Sequence, residues 1–358
     1  MRIVDGQLDL AMNALMWNRD LAATVDEIRK TESGMQGKAR ARATVALPQM
    51  RQGNVGLCFA AILYRTSDAW RHGSDMDASV QSITYAQARG QLAYYELMEY
   101  LGEMRKICTK QDLVNHLEDW GDQMSASDPV AYVLRMEGAD PIVHPNMLNE
   151  WWDRGVRSLS LAHFGVATYA HGTGSKGGLR EGASQLLDLC QDKGMLLDLT
   201  HLSDESFWQV INRYDGHVCA SHQTCRALVP GDRQMDDAQL SAIIKTDGVI
   251  GTAFKGRSLH PDWPDSLNAL EPPVQVNLDR VVDHIDHVCS MAGDTLHAAV
   301  GSDLDGGYGN EESPDGIDTI ADTAKLADAL SARGFSDPDV ENIMWKNWIT
   351  LLRRVLPD

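Results

Sequence analysis

Two short apolar runs in this chain end on histidine: residues 195–199 lead through Thr200 to His201, and residues 218–220 lead through Ser221 to His222. Runs of this length bounded by turn signals read as buried parallel strands. Imidazoles at the carboxyl ends of neighbouring strands are the right chemistry, in the right place, for a divalent metal. Other strand ends add to the same rim. Gln7 and Asp9 follow the run 2–4 and share a side at period two, Glu137 follows 131–136, His163 follows 156–161, and Asp303 and Asp305 follow 298–301. Each alone reads as an ordinary polar strand end or helix cap. Together, carboxylates and imidazoles around one rim point to a metal centre.

The elements that must position them are eight strand-like runs, at 2–4, 55–63, 131–136, 156–161, 195–199, 218–220, 249–252 and 298–301. Helical periodicity lies between and after them, at 79–104, 183–193, 204–214, 236–245, 277–291, 317–332 and 339–356. Strand alternating with helix eight times predicts a (β/α)8 TIM barrel. The 358 residues suit one such domain spanning 1–358, closed by a C-terminal helical extension.

The totals exclude several function classes. A formal net charge of -19 opposes binding to a phosphate backbone, so nucleic acid is not an expected partner. No apolar run reaches the roughly 18 residues of a membrane span. The chain enters a strand directly after Met1, and the six cysteines lack CxxC spacing. These features predict a cytoplasmic protein with reduced thiols and no disulfide framework.

The motifs Asp5-Gly6-x-x-Asp9, Met136-Glu137-Gly138, Asp198-Leu199-Thr200-His201, Ser221-His222 and Gly301-Ser302-Asp303-Leu304-Asp305-Gly306 occur in the order and at the intervals of a known family. The chain resembles the membrane (renal-type) dipeptidases of the amidohydrolase superfamily over nearly its whole length. It is most similar to their soluble bacterial branch, through Asn13-Ala14-Leu15 and the stretch from Cys225 to Arg233. The resemblance implies a TIM barrel with two zinc ions. Glu137 would bridge them, His201 and His222 would complete one shell, and residue 7 with Asp9 would hold the other ion. His163 would face the developing oxyanion, Arg233 would pair with the substrate carboxylate, and Asp303 would handle the proton of the attacking water. The implied activity is hydrolysis of small dipeptides with a free C-terminal carboxylate by metal-bound hydroxide. Family members often pair, which implies a homodimer.

One position departs from the family, which has His where this chain has Gln7. An amide offers zinc only a weak carbonyl oxygen, so the second zinc site, the one with Asp9, lacks the histidine ligand that the resemblance implies. Glu137, His201 and His222 remain a two-His, one-carboxylate set of the kind found in single-zinc hydrolases. The alternatives are an amidohydrolase of other specificity, such as an N-acyl-amino-acid deacylase or lactonase, and a metal-deficient, weakly active or non-catalytic binding variant.

Other signals have plainer readings. The glycine-rich stretch 172–178 matches GxGxxG by letter but lies about ten residues beyond its strand without an acidic ribose ligand, so a flexible rim loop is expected. The stretch 254–276, with Trp263, Pro261, Pro264, Pro272 and Pro273, is a lid or a surface excursion. Trp151 and Trp152 are expected in the core, and His284 and His287 on a solvated helix face. Residues 20–42 read as an exposed helix and loop.

Overall fold

The computed structural model describes residues 1–263 and 274–358. Its centre is a nearly closed barrel of eight parallel strands: β1 (Ile3–Leu8), β2 (Val55–Ile62), β3 (Val130–Met136), β4 (Val156–Leu159), β5 (Leu196–Asp198), β6 (Val218–Gln223), β7 (Val249–Thr252) and β8 (Ala298–Val300), adjacent in that order. All eight expected runs are barrel strands, and the fold class is the expected (β/α)8 barrel. β2 and β3, buried at every residue, pair in unbroken register from Leu57–Ala131 to Ile62–Met136. Near-continuous apolar sequence is what a strand covered on both faces requires.

Two strands run further than their apolar stretches. β1 continues through Asp5, Gly6 and Gln7, and β6 continues through Ser221, His222 and Gln223, with every residue buried. Polar side chains mark a strand's end only if they meet water; here they find partners inside the barrel. Asp5 is the clearest case, because it joins β1 to β8. Its Oδ1 accepts from the Ser302 backbone N–H at 2.9 Å and its Oδ2 from the Ser302 hydroxyl at 2.5 Å.

The C-terminal extension is a helix Asp337–Glu341, a π-turn Asn342–Lys346 and a helix Asn347–Val355. It carries Trp348 into the barrel. The indole donates to the Val300 carbonyl at 2.7 Å and lies 4.9 Å from the Phe59 ring. A Cβ on Gly6 would sit 2.6 Å from this ring, and one on Gly251 only 2.1 Å from the Ser221 carbonyl. Glycine is what lets the ring and the strands approach.

Helix 79–104 stops earlier than expected, at Gln81–Tyr100, because Gly102 turns the chain at φ 78° into a short strand Met104–Lys106 that adds to the start of β3. Helices Leu10–Met16 and Leu47–Gln52, which carry too few turns to show a period, and Lys110–Asp119 were not expected. The region expected as exposed helix and loop, 20–42, does contain a helix, Val25–Thr31, and is largely exposed, but it also holds a buried contact. Glu32 accepts from the buried Arg19 at 2.9 Å, and Arg19 lies 3.2 Å from Asp305. Of the segment 254–276, Pro264, Pro272 and Pro273 lie outside the described residues; the described part opens with a short helix Gly256–Leu259 packed against Trp263. Among the described residues no helix is long and apolar enough to cross a membrane.

Candidate metal centre

At the carboxyl ends of β3, β5 and β6 three donor atoms converge. His201 Nε2 is 3.0 Å from His222 Nε2, and these two lie 3.4 Å and 3.3 Å from Glu137 Oε1. A tetrahedral Zn²⁺ with bonds of about 2.0–2.1 Å needs donors about 3.3 Å apart, so the spacing of this triangle suits one face of such a site. Glu137, His163 and His201 also bring ligand-type atoms within 4.8 Å of one another.

The tautomers agree with that use. Ser221 Oγ accepts from Arg135 at 2.7 Å and gives its single proton to Asp198 at 2.6 Å. His222 Nδ1, 2.8 Å from the same oxygen, must therefore be the donor, which leaves Nε2 with a lone pair. Thr173 gives its proton to the His201 carbonyl at 3.2 Å and faces His201 Nδ1 at 3.1 Å. With the Thr173 proton on that carbonyl, His201 Nδ1 is the donor and Nε2 keeps its lone pair for the common point. A partner on the far nitrogen fixes the tautomer and orientation of a ligand imidazole. Burial, with nearby cations such as Arg233 adding to it, holds both imidazoles well below the ordinary histidine pKa and so neutral.

The neighbouring position is built differently. Arg135, fully buried on β3, donates to Gln7 Oε1, donates to Ser221 and sits 2.6 Å from Asp198. Gln7 Nε2 donates to Glu137 Oε2 at 2.6 Å and to Asp9 Oδ1 at 3.3 Å. Burial would lower the Arg135 pKa, but Asp198 and Glu137 more than offset this and raise it, so it is a permanent cation. Asp9 is pushed well up by burial and by the charges of Glu137 and Asp303. The residues fit one metal; at position 7 they do not fit a second.

Around the donor triangle lie the groups able to act on a substrate. His163 Nδ1 accepts from Arg65 at 3.3 Å, so its proton is on Nε2, which lies 3.9 Å from Glu137. That imidazole is a neutral N–H donor facing the centre. Asp303 stands in the left-handed region at φ 57°, as His201 does at φ 71°; non-glycine residues held there mark a site whose geometry the surroundings impose. Burial pushes the Asp303 carboxyl up to about 7, against the opposing pull of Lys255. Arg233 donates to the Gln223 side chain at 3.0 Å and to the His222 carbonyl at 2.8 Å, which leaves three of its five N–H groups free of these two bonds.

The structure thus brings Gln7, Asp9, Glu137, His163, His201, His222, Arg233 and Asp303 to one end of the barrel. Reading the sequence did not single out Arg135, Arg65, Lys255 or Thr173. A signal existed for Arg135, the one charge inside the apolar run 131–136; for the others none did. The glycine-rich stretch is folded against the rim rather than loose: Thr173 N–H donates to the His163 carbonyl at 3.0 Å, and a Cβ on Gly172 would meet that oxygen at 1.9 Å. His284 corrects the expectation of a solvated face. It is buried and accepts from the Cys225 N–H at 3.0 Å, and burial lowers its pKa to about 4. His287 does face outward and pairs with Asp237 at 2.8 Å. Trp151 is fully buried as expected, whereas Trp152 is half-buried beneath Arg157.

Relatives of this chain include dipeptidases. It is 27% identical over 326 residues to the dipeptidase tcpJ of Claviceps purpurea, covering 87% of this chain and 69% of that protein. The crystal structure of the dipeptidase AC, a metallopeptidase, superposes with a TM-score of 0.79 at 23% identity over 100% of this chain and 99% of that one. A Rhodobacter sphaeroides metallopeptidase liganded with a phosphinate mimic of L-Ala-D-Ala superposes with a TM-score of 0.78 at 24% identity over 99% of each chain. At these identities the two structures speak to the fold. Residues 1–356 match the membrane dipeptidase family, peptidase family M19, and the chain belongs to that family of metallo-dipeptidases.

Proposed function

We propose that this protein is a zinc-dependent dipeptidase that cleaves small dipeptides bearing a free C-terminal carboxylate. The observation that carries the reading is the triangle of His201, His222 and Glu137, whose donor atoms lie 3.0–3.4 Å apart with both Nε2 atoms turned inward. These three residues would hold Zn²⁺, which when bound polarises a carbonyl and lowers the pKa of water to near neutrality. The protein's own groups supply the rest. His163 Nε2–H donates to the carbonyl oxygen as negative charge develops there. Asp303, its carboxyl raised to about 7, accepts a proton from water and returns it to the leaving amine, a cycle that works best when the acid's pKa lies near the working pH. Arg233, held at the rim by Gln223 and the His222 carbonyl, offers its remaining N–H groups to a carboxylate. The six cysteines, all unpaired, support a reducing, cytoplasmic setting, and the resemblance adds a homodimer.

The test compares a dipeptide panel with free and amidated C-termini. Free dipeptides are expected to turn over, with activity lost to a chelator and restored by Zn²⁺, while the amides are rejected. Arg233→Met should raise KM by roughly 10–100-fold, a loss of about 1.5–3 kcal/mol for a charge-assisted bond. Equal turnover of free and blocked substrates would instead favour a deacylase or lactonase. Binding without turnover would favour a non-catalytic protein.

A further inference from the structure

We propose that the second metal position implied for this family is taken over here by a fixed organic cation, Arg135, acting through Gln7, so that the centre holds a single divalent ion. The inference rests on the dipeptidase reading and deepens it. A guanidinium can only donate hydrogen bonds. Because Arg135 reaches Gln7, the atom of Gln7 that faces it must be the carbonyl oxygen, and the amide nitrogen is thereby turned to Asp9 and Glu137, 3.3 Å and 2.6 Å away. The end of Gln7 that points at the slot is an N–H donor with no lone pair for a metal. The amide does a metal's work in small measure: it links two carboxylates that would otherwise repel, and Arg135 behind it supplies positive charge. Arg135 is itself locked by Asp198 at 2.6 Å and Ser221 at 2.7 Å. That same network sets the His222 tautomer, so the cation serves the remaining metal site as well.

This polarity does not depend on glutamine alone. A neutral histidine at position 7 that accepted from Arg135 on one nitrogen would carry its proton on the other, and would again present a donor to Asp9 and Glu137. Arg135 therefore decides the metal count.

The experiment loads wild type, Gln7→His and the double variant Gln7→His/Arg135→Met with Zn²⁺, removes loose ion by gel filtration and measures zinc per chain by plasma mass spectrometry. The expected result is about one equivalent for wild type and for Gln7→His and about two for the double variant, since only the last has a free imidazole lone pair at position 7. Two equivalents in wild type, two in Gln7→His with Arg135 in place, or one in a folded double variant would each overturn the proposal. Calorimetric titration of wild type with Zn²⁺ needs no variant and decides the count if the double variant does not fold: one binding event supports the proposal, two sequential events overturn it. Failure of the dipeptidase reading shows separately, as absent dipeptide turnover by protein that has bound its ion.

Discussion

At the scale of single residues, the centre is a balance of buried charge. Glu137, Asp9 and Asp303 crowd one end of the barrel, and the cations Arg135, Arg233 and Lys255 are what make that crowding tolerable. Burying a carboxylate raises its pKa, and an adjacent cation lowers it again. Asp303 shows both effects, raised to about 7 by burial while Lys255 holds it down. The sign of a test follows directly. Lys255→Met removes the lowering influence, so the Asp303 pKa rises and the ionised, proton-accepting form appears only at higher pH. The acid limb of the kcat/KM profile should move upward in pH, with the rate at high pH nearly kept; an unmoved limb would remove Asp303 from the proton-transfer role. Arg135 belongs to the same balance and escaped notice in the sequence for a physical reason. One arginine in an apolar run looks like an interruption until three other strands of the barrel are known to place Asp198, Ser221 and Gln7 against it.

At the scale of elements, the strands were legible because both faces of each are buried, which leaves an apolar run in the sequence. The rim was legible because ligand-type residues follow those runs. What could not be read were the places where polar groups satisfy one another inside the barrel. β1 runs on to Leu8 and β6 to Gln223, since Asp5, Gln7 and Ser221 find partners on other strands, and such pairings leave no local period. The short helices, and the loop that brings Thr173 to His201, depend equally on contacts distant in sequence. Asp5 gives this a measurable form. Its carboxylate takes three hydrogen bonds, from Gln7 N–H at 3.1 Å and from the Ser302 N–H and hydroxyl, and so spans the seam between β1 and β8. Asp5→Ala leaves those donors unpaired in a dry interior, at about 1–3 kcal/mol each before relaxation or entering water offsets part of it. Urea unfolding should show a loss of about 3 kcal/mol. The sign with pH is also defined. Burial raises the Asp5 carboxyl from 3.8 to about 6, so the folded state holds this proton more tightly than the unfolded chain. That contribution to stability is full below pH 3.8 and is lost as pH rises to about 6; Asp5→Ala should lack that part of the slope.

At the scale of the whole molecule, the C-terminal extension is part of the barrel's interior. Trp348 brings a large ring from the last helix to the inner faces of β1 and β7, where Gly6 and Gly251 make room for it, and ties itself to β8 through the Val300 carbonyl at 2.7 Å. The last segment of the chain thereby supports strands that carry the rim. The same crowding reaches the metal centre: the Ser221 carbonyl abuts Gly6, Gly251 and Gly301, and the Ser221 hydroxyl sets the tautomer of His222. Trp348→Ala removes a fully buried indole and leaves a cavity under that layer, a change that costs about 3–5 kcal/mol. If the ring only fills space, stability should fall while zinc affinity in the folded fraction stays the same. If it supports the Ser221 layer, as its packing indicates, zinc affinity should fall too, by about 10–100-fold, the cost of disturbing the partners that orient a ligand. Trp348→Phe keeps an aromatic ring in the space while losing the bond to Val300, so it should recover much of the affinity. Calorimetric zinc binding to the two variants, beside their urea midpoints, separates the two cases, and a loss of stability with unchanged affinity in Trp348→Ala would confine the extension's role to filling the barrel.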